Sequence, residues 1–252
     1  MKGNPVKGSG YLLRGFSMLP EPGIRRFVLI PMIINIFLFS GAIWLLVNEF
    51  DGWVNFWLSK LPSWLSFLDW LLWPLFALLV LVFVYYGFSL VANLIAAPFN
   101  GFLSEKVEKM KRGVVMQDEG WKGLIAMIPR ALQRELAKMA YYIPRLFLLL
   151  IFSFIPIINV IAPFLWFLFG AWMMAIQYCD YPMDNNKVSF PQMRQLMKAK
   201  RVTSVGFGAL VQVGMLIPVL NLFVMPAAVI GATLYWVEEY AGESRELRDV
   251  RN

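Results

Sequence analysis

Ile155-Pro156-Ile157-Ile158-Asn159-Val160-Ile161-Ala162-Pro163 breaks an uncharged apolar run between Arg145 and Asp180. Ile217-Pro218-Val219-Leu220-Asn221-Leu222-Phe223-Val224-Met225-Pro226 breaks a second such run, between Arg201 and Glu238. Proline removes a backbone donor and clashes with the preceding turn, so it ends or kinks a helix. Two prolines flanking an Asn inside a lipid-compatible run read as the tip of a helical hairpin. Pro156, Asn159 and Pro163 form one tip and Pro218, Asn221 and Pro226 the other.

Length decides what kind of hairpin. At 1.5 Å per residue, Leu146–Ile155 gives about 15 Å and Pro163–Cys179 about 25 Å, while Val202–Ile217 gives about 24 Å and Pro226–Val237 about 18 Å. A hydrocarbon core is about 30 Å thick. The spacing therefore predicts re-entrant hairpins over 146–179 and 202–237, each entering and leaving on one face. Broken segments at matching places in two repeats mark a transport pathway; ordinary proline-kinked helices packed in a bundle would give the same pattern.

The rest of the chain agrees with a membrane protein. Of 252 residues, 59% are hydrophobic and 15% charged, against about a quarter charged in soluble domains. A single Cys, Cys179, excludes an internal disulfide, and the absence of His removes the usual general base and any Cys/His metal site. No carboxylates are paired for catalysis and no phosphate-binding Gly-x-x-x-x-Gly-Lys motif is present. The chain is expected to be no enzyme, to hold no metal or cofactor and to consume no ATP. The polar, basic start is no cleavable signal. The net charge of +7 sits on loops beside apolar runs, where it suits lipid headgroups rather than nucleic acid.

In chain order, Tyr11, Leu12, Leu13, Phe16 and Leu19 form the apolar stripe of a short interfacial helix. The uncharged stretches 27–47 and 70–99 are expected to span the bilayer. The Trp-rich stretch from Asn48 to Asp69 is expected to turn on the far face. Gly101–Arg112 reads as a solvated helix extension with i,i+4 pairs Glu105–Lys109 and Glu108–Arg112, stopped by Gly113. Trp121–Ile143 is amphipathic, with Leu132, Leu136 and Met139 on one face and Arg130, Arg134 and Lys138 on another, and is expected to lie along the surface. Asp180–Lys187 reads as a polar loop, and Ser189–Gln192 has capping-box spacing. The expected fold is one all-α membrane domain over 1–252: two long spanning helices, two re-entrant hairpins offset by about 62 residues, and amphipathic surface helices.

Lys and Arg set the sidedness. The first 26 residues hold five, Asn100–Arg145 nine, Asp180–Arg201 five and the tail three, while Asn48–Asp69 holds one. The positive-inside rule places the rich segments in the cytoplasm. Pro22-Gly23-Ile24-Arg25-Arg26-Phe27 opens the first spanning helix. A helix start offers unpaired N–H groups, Gly23 lets the backbone approach closely, and Arg25 and Arg26 add forked cationic donors. The stretch suits a tetrahedral anion; two arginines before a transmembrane helix also serve as plain topology anchors.

Pro22-Gly23-Ile24-Arg25-Arg26 with Ile30-Pro31, Ala96-Ala97-Pro98-Phe99-Asn100, the two Pro-x-x-Asn tips and Tyr178-Cys179-Asp180-Tyr181-Pro182-Met183-Asp184-Asn185 together resemble the CysZ family of bacterial sulfate permeases, over essentially the whole chain. The resemblance implies a multi-pass inner-membrane protein that takes up sulfate for cysteine synthesis, built as an oligomer with two long helices and partly penetrating hairpins. It maps the sulfate-binding element onto Gly23, Arg25 and Arg26. A non-transporting scaffold or regulator of a separate sulfate uptake system is the alternative.

Overall fold

The computed structural model describes residues 3–60, 69–113 and 120–242. Those residues are helical, in α1 (Pro5–Met18), α2 (Arg25–Leu58), α3 (Asp69–Arg112), α4 (Gly120–Ser153), α5 (Pro156–Asn159), α6 (Ala162–Asn185), α7 (Phe190–Ala199), α8 (Arg201–Met215) and α9 (Pro218–Glu239). The chain divides into two compact units, Leu29–Phe99 and the remainder.

The smaller unit holds most of α2 and the first part of α3. Both helices outrun their expected limits. With 34 and 44 residues, α2 and α3 are about 51 and 66 Å long. The expected reversal at Asn48–Asp69 is corrected, because α2 runs on to Leu58 and only Ser59–Lys60 turn before residues 61–68, which lie outside the described residues. The edge of Phe50 meets Trp73 at 5.9 Å. Trp44, Trp53, Trp57, Trp70 and Trp73 are exposed, where an aromatic belt is stable at a membrane boundary.

The larger unit carries the core, and its centre is α9, not a surface. Val224 and Ala227–Ile230 are fully buried, as are Tyr235 and Trp236. The first helix is not merely interfacial: Gly8, Tyr11, Leu12, Gly15 and Met18 of α1 are buried against α8 and α9. A Cβ at Gly15 would meet the Ala227 carbonyl, and one at Gly8 the Thr203 carbonyl. Leu13, placed on the stripe by the sequence, points out. Backbones this close leave no room for side chains, so the helix is specified by its small residues as much as by its large ones.

Both proline stretches interrupt the helical run, and α4, α6 and α9 are longer than the expected arms while α8 is slightly shorter. The first turns at Phe154–Ile155, makes the single helical turn α5, and turns again at Val160–Ile161. The second turns at Leu216–Ile217. Pro218 starts α9, and Asn221 and Pro226 lie inside it, not in a turn. Pro226 is buried among fully buried neighbours, and that packing outweighs the roughly 3 kcal/mol cost of a helical proline. Nor do the two Asn side chains cap the helices: the N-caps are Ile161 and Ile217, neither with a side-chain cap bond. α6 and α9, with 24 and 22 residues, reach about 36 and 33 Å, while α8 with 15 reaches about 22 Å. Among the described residues, four helical stretches, Arg25–Trp57, Leu132–Ser153, Ala162–Asn185 and Leu220–Glu239, are long and apolar enough to cross a membrane.

Candidate functional site

Pro22, Gly23 and Ile24 form the turn that feeds α2. Gly23 has φ +89°, a left-handed conformation that residues with a Cβ avoid. Ile24 is fully buried and pins the turn to the core. Its N–H donates to the Glu21 carbonyl at 3.0 Å, and the Phe27 N–H donates to the Ile24 carbonyl at 2.9 Å. The Ile24 and Phe27 amides are therefore spent within the turn. The side chains remain. Arg25 and Arg26 are exposed, form no ion pair among the described residues, and Arg26 lies over the Phe27 ring with its guanidinium carbon 5.0 Å from the centroid. Lys106 of α3 joins them: a Cβ on Gly23 would stand 3.5 Å from its Cε. A left-handed glycine turn flanked by three cations, two of them forked, suits an oxyanion with several equivalent oxygens.

A second cluster was not singled out from the sequence as a unit. Asp180–Lys187 was expected to be a loop, yet α6 continues to Asn185. The cause lies across the interface, on α4. Arg134 donates to Asp180 through Nε at 2.8 Å and through a second, closer nitrogen, and also donates to the Val188 carbonyl at 2.6 Å. Lys138 stands 3.3 Å from Asp180, and Arg130 3.2 Å from Asp184. So the basic face of α4, expected on the surface, is turned inward. Arg134 and Lys138 are buried, while Leu132, Leu136, Met139, Ile143 and Phe147 face out. Charges removed from water persist only when paired, and the outward apolar stripe is what lipid requires.

The same segment of α6 also clamps the base of α3. Asn185 donates to the Gly101 carbonyl at 2.9 Å and Asn186 to Glu108 at 2.7 Å. Asn100 donates to the Tyr181 hydroxyl at 3.3 Å. Glu108 further accepts from Arg112 at 2.5 Å and from the Trp236 indole at 3.3 Å. The Gly101–Arg112 extension is therefore no solvated helix: Leu103, Ser104, Val107 and Glu108 are buried. Both expected i,i+4 pairs form. The signal for this hub was the shared spacing of four in Arg130, Arg134, Lys138 and in Asp180, Asp184, which puts complementary charges on facing helix stripes. The hub seats the α3 residues that stand behind Gly23.

The hairpin-tip residues do not converge on the arginine turn among the described contacts. Ile157, Val160 and Leu216 at the tips are exposed and apolar. No group of His, Cys, Asp and Glu among the described residues has a metal-holding arrangement.

A protein family described as sulfate transporter CysZ/Etoposide-induced protein 2.4 matches residues 11–226. A protein of Pseudomonas syringae pv. tomato named sulfate transporter CysZ is 52% identical over 248 residues, 98% of each chain. One of the same name from Pseudomonas fluorescens is 50% identical, covering 95% of this chain and 96% of its own. One from Pseudomonas aeruginosa is 49% identical, covering 93% and 96%.

Proposed function

The chain belongs to the sulfate transporter CysZ/Etoposide-induced protein 2.4 family, and on that premise we propose that it carries sulfate across the bacterial inner membrane as a channel-like permease. The carrying observation is half-identity to proteins of that name along nearly the full length of both chains. The helices long and apolar enough to span fit a multi-pass protein. The sulfate taken up would feed cysteine synthesis. No step requires a cofactor, a metal or ATP, and the chain acts as a conduit, not an enzyme.

Gly23, Arg25 and Arg26 are the sulfate-binding residues in this reading, with Lys106 beside them. Sulfate is divalent and strongly hydrated, so an apolar path excludes it unless fixed positive charge replaces part of its water. Charge-assisted bonds contribute about 1.5–3 kcal/mol each. Loss of one arginine therefore weakens binding roughly 10- to 100-fold. The positive charge bias puts this site on the cytoplasmic face. In topology, α2 and α3 cross the bilayer fully and the hairpins penetrate partly; α8, about 22 Å long, is the arm that supports this for the second hairpin. Homo-oligomer formation gives the outward apolar stripe of α4 a partner or lipid to face.

The test is radiolabelled sulfate flux into liposomes holding only this protein, with calorimetric sulfate affinity for wild type and Arg25→Ala/Arg26→Ala. Flux and a lost affinity in the variant are expected. Absence of flux would make the chain a regulator of a separate uptake system. Flux with equal affinities would reduce the two arginines to topology anchors.

A further inference from the structure

We propose a second anion site, distinct from the arginine turn, built on the Tyr141 ring and taking the phosphate of an anionic lipid headgroup. Two guanidinium groups converge on this one ring. The Arg145 carbon lies 3.6 Å from its centroid and the Arg194 carbon 4.8 Å. Arg194 lies also 5.2 Å from the Phe190 ring. Arg145 belongs to α4 and Arg194 to α7, so tertiary structure, not chain proximity, brings them together. The platform is held in place: the Trp172 indole donates to the Tyr141 hydroxyl at 3.2 Å, and the edge of the Tyr141 ring meets Phe190 at 6.1 Å. Arg145 Nη1 donates to the Tyr141 carbonyl at 2.6 Å, which fixes its fork.

Neither arginine has a carboxylate partner among the described residues, in contrast to Arg130 and Arg134 on the same α4 face. The Arg194 Nε is buried with no hydrogen-bond partner. Arg194 as a whole is half-buried, its guanidinium against the Tyr141 and Phe190 rings, and an oxyanion at its outer nitrogens supplies the charge partner that no carboxylate provides. Two guanidiniums 3.6 and 4.8 Å from one ring centroid supply forked donors that match the oxygens of a phosphate or sulfate.

Position selects the lipid source. Arg145 is exposed and directly precedes the uncharged stretch Leu146–Ser153, and its neighbours Ile143 and Phe147 are exposed and apolar. Tyr, Trp and Arg at the end of an apolar helix face are residues of the headgroup layer. Acyl chains from a phosphate held there run along the outward stripe of α4. A free anion gains nothing from that stripe.

Native mass spectrometry of the full chain in detergent tests this, with phosphatidylglycerol and phosphatidylcholine as probes and with inorganic phosphate and sulfate as competitors. Wild type should retain phosphatidylglycerol over phosphatidylcholine, with affinity falling on the order of fivefold for each arginine removed, in Arg145→Gln and further in Arg145→Gln/Arg194→Gln. Arg145 is exposed, so the single variant decides the matter if the double variant does not fold. Arg25→Ala/Arg26→Ala should leave retention unchanged. Equal retention of the two lipids, or unaltered retention in Arg145→Gln, overturns the site. Equal loss in Arg25→Ala/Arg26→Ala shows diffuse surface charge and overturns it too. Displacement of the lipid by millimolar phosphate or sulfate assigns the pocket to a free anion and overturns the lipid assignment.

Discussion

The two hairpins share a sequence pattern but are held by different physics. In the first, α4 meets α6 through charge: Arg134 and Lys138 are both paired with Asp180. In the second, α8 meets its neighbours through missing side chains. A Cβ at Gly208 would meet the Ala171 carbonyl, and one at Gly206 the Pro5 carbonyl. Lipid offers no hydrophobic drive for helices to associate, so close backbone packing and polar pairing are the two means left. The first proline of each copy opens a helix after a turn, and the residues beyond the turn decide what each arm can hold. The charged arm organises the segment behind the arginine turn, and the glycine arm builds the rigid core around α9.

Removal of the shared carboxylate is the largest expected effect. Asp180→Leu removes the carboxylate that Arg134 and Lys138 share, leaving Arg134 with Asp184 at 3.5 Å and Lys138 with Glu135 and Gln177, and breaking a buried pair costs up to about 3–5 kcal/mol. Thermal unfolding in detergent reads it, and a loss below about 1 kcal/mol would mean that the first hairpin does not depend on charge. Gly208→Val comes next. Its Cβ meets backbone that cannot swing aside, and overpacking costs about 1–3 kcal/mol. Gly10→Ala is the control, since nothing lies within 4 Å of its Cβ, and it should be neutral or slightly stabilising. Equal melting of Gly208→Val and wild type would remove the contrast between the hairpins.

Smaller effects lie where α1 is tied to the end of α9. Glu239 pairs with Lys7 and with Lys200, the latter at 2.9 Å, and Arg14 pairs with Glu238 at 2.6 Å. These groups are partly exposed. Glu239→Gln should therefore cost no more than about 1 kcal/mol, and the loss should shrink as salt is added. A salt-independent loss would place this latch with the buried hub rather than the surface. Tyr11, whose hydroxyl donates to Glu239 at 3.1 Å, supplies a pH signature. Burial, and then the charge of Glu239, raise its phenol well above the usual range. The folded protein keeps a proton that the unfolded chain releases near pH 10. Stability therefore falls as pH rises above about 10, and Tyr11→Phe should flatten part of that fall in unfolding curves taken across the alkaline range.

Several features were legible because they rest on local chemistry. Pro156 and Pro218 each lack an N–H and each open a helix after a turn. Gly113 has positive φ and stops α3. The Ser189 amide donates to Gln192 at 3.1 Å, as the capping-box spacing foretold. Gly23 was marked from the sequence as a place where the backbone can be approached closely, and its φ of +89° is a conformation that Gly alone adopts cheaply. What misled was polarity. Asp180, Asp184 and the α4 cations looked like water-facing groups, and only partners about 40 or more residues away hold Arg134, Lys138 and Asp180 inside.

By itself the sequence determined that the chain is a helical membrane protein, that its apolar runs break at Pro156 and Pro218, and which stretch presents forked cations beside a flexible glycine. Those properties follow from transfer free energy, proline geometry and fixed charge, all of which act within a few residues. Tertiary structure alone decided that Pro226 and Pro182 stay inside helices, that the basic face of α4 turns inward, and that Arg145 and Arg194 meet on Tyr141. Each of those outcomes depends on a partner distant in the chain. The free energy of a buried proline, charge or cation is set by what packs against it, and no local pattern carries that information.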